Sequence, residues 1–200
     1  MLRLLVLFLF TLACSCQAGE PRDPSGSRDP ERMASVVLFS PEYNASICGA
    51  VRLRNGRLVT AKHCIKEAEK TGDYVAEAID ADGYSSSVYL EKLVEDRDVA
   101  YLTGKKSEYG VVEGIYANGE AELITNQPYR LVRRRAQMSA LQEPFTVFDK
   151  QGGMHILTNL AIAKRPCIPG ESGSGVFQHG RVVGVVTAGN WQQCLVTVLK

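Results

Sequence analysis

Three short stretches carry groups that can move a proton and attack a carbonyl. In Pro169-Gly170-Glu171-Ser172-Gly173-Ser174-Gly175 a serine is hemmed by three glycines, just before an alternating apolar run. Gly170 and Gly173 can take positive φ at no steric cost. Such a turn can aim two backbone N–H groups at the point where a developing oxyanion would sit. Ala61-Lys62-His63-Cys64 offers an imidazole base, and Arg97-Asp98-Val99-Ala100 a carboxylate to orient it. An alcohol, a base and an orienter are the parts of nucleophilic acyl transfer.

Each assignment has a rival close by. The chain has only three histidines, and His155 and His179 have no partner in the sequence pattern, so His63 is the candidate base. Glu95, Asp96 and Asp98 form one acidic run, which as a charge run reads as a solvated loop. Only Asp98 directly precedes an apolar stretch and would be drawn inward, with Asp96 the fallback if the register slips by two. Ser174 competes with Ser172, but the Gly-x-Ser-Gly placement favours Ser172 as nucleophile, with the N–H groups of Gly170 and Ser172 as the oxyanion hole.

The elements that must position these groups read as short strands. Ala34 to Phe39, Cys48 to Leu53, Arg57 to Thr60, Asp73 to Asp80, Ser86 to Leu93 and Val99 to Leu102 are followed by Val111–Ala117 and Glu120–Thr125. Tyr129–Arg135, Phe145–Phe148, His155–Ile162, Gly175–Phe177, Val182–Thr187 and Cys194–Leu199 complete the set. Asn55-Gly56, Asp82-Gly83 and Asn118-Gly119 are hairpin signals, and His179-Gly180 is a further turn. Regular turns without a long amphipathic helix argue for an all-β sandwich or barrel.

The 200 residues are 45% hydrophobic and 22% charged, with a formal net charge of +1. That bounds the chain to one compact domain or two small lobes, and gives no footprint for nucleic acid or an anionic membrane. The basic cluster Arg130, Arg133, Arg134 and Arg135 would alternate along a strand, some members facing solvent. Asp80-x-Asp82-Gly83 with Glu91 has its glycine misplaced for a calcium loop and reads as a hairpin.

Residues 1–18 read as a secretory signal: Arg3, an apolar core from Leu4 to Ala13, and the small-x-small site Cys16-Gln17-Ala18. Lipidation at Cys14 or Cys16 is the alternative. Residues 19–32, rich in Pro, Ser, Gly and charge, read as a flexible linker or tether. Cys48, Cys64, Cys167 and Cys194 remain, an even set that implies an oxidising compartment and two bridges, with three pairings open. None of the four stands at C-x-x-C spacing, so a metal site is disfavoured.

On Thr60-Ala61-Lys62-His63-Cys64, Asp98-Val99-Ala100 and Gly170-Glu171-Ser172-Gly173-Ser174-Gly175, in the order His, Asp, Ser, the chain resembles the trypsin- or chymotrypsin-like serine proteases from about Ala34 onward. The resemblance implies two antiparallel six-stranded β-barrels, residues 33–108 and 109–200, with the active site in the cleft between them. It implies a serine endopeptidase working through an acyl-enzyme on Ser172, with no organic cofactor and no metal. It pairs Cys48 with Cys64 and Cys167 with Cys194. It places the substrate pocket at Arg165 or Pro166, Thr187 and Gly189, with Thr187 and Gly189 presenting backbone to an extended substrate. A pocket-facing Arg165 would attract acidic side chains, and a surface position is the equal alternative for it. The expected partner is a protein or peptide substrate, with no nucleic acid, membrane contact only through an N-terminal lipid, and a monomeric state. The location would be secreted, or the cell envelope or periplasm.

The chain also departs from that family. Glu171 stands where aspartate is usual and Ser174 where glycine is common. No Ile-Val-Gly-Gly activation site is present, so the site is expected to form on folding. The chain stops at Lys200, without the family's C-terminal helix. A catalytically silent binding module on the same fold and an esterase using the same triad are the rival readings.

Overall fold

The computed structural model describes residues 29–65, 68–104, 106, 109–127, 130–148 and 154–200. The signal segment and most of the linker expected within residues 1–32, with Cys14 and Cys16, lie outside the described residues. The end of that linker is helical instead. Asp29 caps the helix α1 (Pro30–Ala34), its carboxylate accepting from the N–H groups of Glu31 and Arg32. Pro30 opens the helix, where a missing N–H goes unnoticed, and Met33 and Ala34 are buried against the body.

Six strands follow: β1 (Ser35–Ser40), β2 (Ala45–Arg52), β3 (Arg57–Thr60), β4 (Tyr74–Ile79), β5 (Ser85–Leu93) and β6 (Ala100–Thr103). They close into an antiparallel barrel in the order β1-β2-β3-β6-β5-β4. Alternation puts Val88 and Leu90 of β5 inside and leaves Tyr89 exposed, as a two-residue period demands. Small side chains (Ala50, Ala76, Ala78, Ala100) share the interior with Leu38, Leu58 and Leu102, which fits the narrow bore of a six-stranded barrel.

The second half contributes β7 (Val112–Glu113), β8 (Gly119–Gln127), β9 (Arg130–Leu141), β10 (Phe145–Phe148), β11 (Met154–Leu157), β12 (Leu160–Ala163), β13 (Gly175–Gln178), β14 (Arg181–Gly189) and β15 (Cys194–Val198). The order β13-β8-β9-β12-β15-β14 closes through a β13–β14 pairing into a second antiparallel barrel. Both barrels expected from the resemblance are thus present. β10 and β11 form a separate hairpin. His179 and Gly180, both at positive φ (51° and 73°), make the tight turn from β13 to β14.

Asn118-Gly119 is not the hairpin turn its composition suggests. Gly119 opens β8, whose two edges are taken by β9 and β13. That leaves β7 no edge of β8 to join, and it pairs in parallel with β14. Asn118 instead fastens the segment, its Oδ1 accepting from the Ala140 N–H at 2.7 Å and the Tyr116 hydroxyl at 2.9 Å. The run expected as one strand from 155 to 162 is broken between β11 and β12, where Asn159 sits at φ 52°.

A shared core joins the barrels. Val51, Leu53, Val59 and Val99 from the first half pack with Ile124, Phe177, Val182, Val185 and Leu199 from the second. Phe177 is fully buried there, a contribution of about 2–3 kcal/mol for one such side chain. Arg97 adds a polar strap, its guanidinium donating to the carbonyls of Val198 and Leu199 at 3.3 and 3.0 Å. Two of the arginines of β9 are matched by carboxylates: Arg133 pairs with Asp29, Glu31 and Glu122, and Arg135 with Glu120 and Glu122.

Candidate active site

His63 lies in a single 3-10 turn, Lys62–Cys64, directly after β3. The next residue, Cys64, is disulfide-bonded to Cys48 on β2, with their Cα atoms 6.0 Å apart. The turn is therefore tied to the barrel wall at the residue beside the imidazole. Asp98, in the connection from β5 to β6, accepts from His63 twice. Its Oδ1 takes the backbone N–H at 2.9 Å and its Oδ2 meets ring Nδ1 at 2.7 Å. Two bonds from one residue fix both the position of the ring and the tautomer that leaves Nε2 free to accept a proton.

The second barrel supplies a third donor. Thr187 Oγ1 donates to Asp98 Oδ2 at 2.7 Å and lies 2.7 Å from Thr197 Oγ1. A hydroxyl has one proton, so Thr197 donates to Thr187 and the chain runs Thr197, Thr187, Asp98, His63. The backbone explains how Thr187 points there. Val186 pairs with Val196 and Ala188 with Leu195, leaving Thr187 as the extra residue of a bulge in β14. Bulges re-aim side chains in this way. Sequence reading placed Thr187 in the pocket wall for its backbone; its side chain is turned to the carboxylate.

Asp98 is buried (7% exposed), whereas the His63 side chain is 41% exposed. Burial pushes the Asp98 carboxyl upward. The hydrogen bond and charge of the His63 ring, the Thr187 hydroxyl and the His63 backbone N–H outweigh it and hold the group below its ordinary value. It stays an anion at neutral pH. Asp96, the fallback, is exposed and pairs with Arg97.

Ser172 follows a chain of tight turns. The Glu171 N–H donates to the Ile168 carbonyl at 3.1 Å, and Ser174 N–H to the Glu171 carbonyl at 2.9 Å. Gly170 and Gly173 take φ of 89° and 75°, as their sequence positions require. The N–H groups of Gly170 and Ser172 have no hydrogen-bond partner within the described residues. The turn is pinned on both sides: Gly173 N–H donates to Val186 O at 2.7 Å, and Ser172 O accepts from Gly49 N–H at 2.8 Å. Gly49 follows Cys48, whose disulfide partner follows His63. A side chain on Gly173 would run into the Gly49 carbonyl and the Thr60 hydroxyl, so glycine here permits the barrels to meet.

The two serines are clearly separated. Ser174 is 1% exposed and its hydroxyl has no partner. Ser172 is half-buried and lines a cavity of about 320 Å³ with Cys167, Ile168, Pro169, Gly170, Val186, Ala188, Gly189, Asn190 and Trp191. Gly189 stands in that wall, and a Cβ on it would meet Cys167 Cβ at 2.5 Å. The Cys167–Cys194 disulfide backs the same wall.

Arg165 departs from its expected place. It does not line the cavity but is buried (8% exposed) against Glu171 (2% exposed). Its Nη1 lies 3.3 and 3.2 Å from the two carboxylate oxygens, its Nη2 bonds Oε1 more closely, and Nη1 also donates to the Pro166 carbonyl at 2.8 Å. Glu171 Oε2 accepts the Ile168 N–H at 2.8 Å. A buried acid one residue before the nucleophile must find a cation. The burial that creates this requirement is seen only in the structure; the sequence holds the partner, Arg165, six residues upstream of Glu171. The reach of glutamate, one methylene longer than aspartate, makes the local pairing feasible. Thr197 and Trp191 carried no such signal.

Two groups, Cys48-His63-Cys64 and Cys167-Glu171-Cys194, bring three metal-type ligands together among the described residues. In both, the sulfurs are joined to each other and offer no thiolate to an ion.

No family model and no curated protein matches the chain in sequence. Solved structures do match in shape. An astrovirus serine protease from a human pathogenic strain superposes with a TM-score of 0.61 at 15% identity, covering 86% of this chain and 91% of that one. The Rv3671c protease of M. tuberculosis, in its active form, gives 0.65 at 14% identity over 98% and 90%. The HtrA-type protease AlgW, solved with a decapeptide, gives 0.60 at 17% identity over 84% and 61%. The fold is the double β-barrel of trypsin-like serine proteases.

Proposed function

We propose that this chain is a serine endopeptidase, with Ser172 as nucleophile, His63 as general base and then general acid, and Asp98 as the carboxylate that orients and stabilises the imidazolium. The observation that carries the reading is the hydrogen-bonded run Thr187–Asp98–His63 across the barrel junction; Ser172 sits on a separate glycine turn tied to the first barrel through the Gly49 N–H. His63 Nε2 takes the Ser172 proton as Oγ attacks the peptide carbonyl. The oxyanion settles against the N–H groups of Gly170 and Ser172, each worth about 10²–10³ in turnover. The imidazolium returns its proton to the departing amine, and water repeats the sequence on the acyl-enzyme.

A peptide substrate fits the open cavity beside Ser172, and AlgW, of the same fold, was solved with a decapeptide bound. Two disulfides among the described residues suit an oxidising compartment. With the apolar N-terminal segment they support secretion or a place in the cell envelope.

A fluorophosphonate probe tests the reading. Wild type should label, Ser172→Ala should not, and Ser174→Ala should label as wild type does. A folded wild type that never labels would point to a silent module, and turnover of esters without peptides to the esterase.

A further inference from the structure

The cavity at Ser172 carries information about what would enter it. Its lining holds no ionisable side chain: Ile168, Pro169, Val186, Ala188 and Trp191 bring apolar groups, Ser172 and Asn190 neutral polar ones, and the cysteine there is in a disulfide. Arg165 and Glu171, which stand in the chain on either side of the lining segment 167–170, are paired with each other. A charged side chain entering this space would lose water and gain no counter-ion, which disfavours it strongly. The cavity touches both Gly170 and Ser172, so it receives the side chain of the residue whose carbonyl is attacked. A second cavity, of about 270 Å³, meets Gly170 but not Ser172.

Trp191 stands at the rim of the first cavity and is the chain's single tryptophan, 82% exposed. Its backbone is fixed while its ring is bare. Asn190 Oδ1 accepts from the N–H groups of Gln192 and Gln193 at 2.8 and 3.0 Å, Asn190 N–H donates to Gln193 O at 2.9 Å, and Cys167 N–H donates to Asn190 O at 3.0 Å. A rigid turn presenting a large apolar ring beside a pocket is the anatomy of a contact residue, because little ordering is left to be lost on binding.

Resting on the endopeptidase reading, we propose that the site selects an uncharged, apolar side chain at the residue before the scissile bond, and that Trp191 is the specificity residue covering it. The test uses the peptide p-nitroanilides Ala-Ala-Pro-Xaa, with Xaa Leu, Phe, Asp or Lys, on wild type and Trp191→Ala. It adds tryptophan emission of Ser172→Ala mixed with the hexapeptides Ala-Ala-Pro-Xaa-Gly-Ala.

Expected are kcat/KM values for Leu or Phe at least tenfold above those for Asp and Lys. Trp191→Ala should raise KM for the apolar substrates about tenfold, with kcat changed much less. In Ser172→Ala, emission should shift to the blue, saturably, with the Leu or Phe hexapeptide and far less with Asp. Equal or better cleavage after Asp or Lys, or a KM unmoved in Trp191→Ala, overturns the inference while leaving the endopeptidase reading intact. A selective blue shift with no hydrolysis or labelling by wild type does the reverse: the apolar site stands and the enzymatic reading falls. Emission unmoved by every peptide, with no hydrolysis, removes both.

Discussion

The buried pair under the nucleophile turn is where a small change should do the most. Replacing Arg165 by Met leaves the Glu171 carboxylate at 2% exposure with only the Ile168 N–H to stabilise it. Replacing Glu171 by Gln keeps an acceptor for that N–H but leaves a buried guanidinium with neutral partners such as the Pro166 carbonyl and no counter-charge. Breaking one side of a buried ion pair costs about 3–5 kcal/mol, a large share of a total stability of about 5–15 kcal/mol. The double variant Arg165→Met/Glu171→Gln removes both charges and retains the Ile168 contact. Its cost should fall to about 1–2 kcal/mol, the residue of one unsatisfied amide.

The cycle should therefore be strongly non-additive, with the double variant several kcal/mol more stable than the sum of the singles predicts. Urea unfolding followed by far-UV circular dichroism measures it. Activity supplies a second reading, since Glu171 lies between the two N–H groups assigned to the oxyanion hole. Arg165→Lys keeps the charge but loses the two-pronged contact. It should remain folded while kcat falls about tenfold or more, with KM changed less. Additivity of the singles within about 0.5 kcal/mol, or an Arg165→Met variant of wild-type stability and turnover, would refute the reasoning.

Other consequences are open to direct measurement. Thr187→Val removes one of the donors that hold Asp98 low, a charge-assisted bond worth about 1.5–3 kcal/mol, and kcat should drop about 10–100-fold. Because the folded Asp98 lies below its ordinary value, its contribution to stability is present above the unfolded value and is lost as pH falls through the folded one. In Thr187→Val the folded value rises, so that loss should be smaller and complete at a higher pH, which acid titration of unfolding would show. Ser174→Ala deletes a buried hydroxyl without a partner and should leave the protein equally stable or about 1 kcal/mol more so, by thermal melting. Tyr101, half-buried, is pushed up to about 12 by burial and by Glu113, which accepts its hydroxyl at 2.9 Å. A raised value favours the neutral phenol, so its contribution holds below about pH 10 and disappears toward pH 12. Spectral titration of wild type against Tyr101→Phe should show the missing phenol ionising late.

What could be read in the sequence was what depends on neighbours in the chain. Period-two alternation, Asn55-Gly56 and Asp82-Gly83 give most of the first barrel, because a hairpin is decided by its own turn and strands. Gly170 and Gly173 announced a turn needing positive φ, and that is where they take it. Asn118-Gly119 misled because the same local chemistry serves equally to fasten a strand end, and only the occupied edges of β8 decide between the two. Thr187 was assigned to the right strand for its backbone, and the task of its side chain went unread. Its direction is set by a bulge whose existence depends on the register of β14 against β15, a relation between segments that no single stretch contains. Arg165 is the instructive case. The acid in Gly170-Glu171-Ser172, once buried, could not remain unpaired, so the fold required a cation that the sequence holds but does not name. Electrostatic necessity restricts the partner, whereas the position of an exposed side chain such as Trp191 leaves no trace in composition or spacing. A buried charge beside a proposed nucleophile is thus a better guide to the local structure than the pocket-forming residues around it.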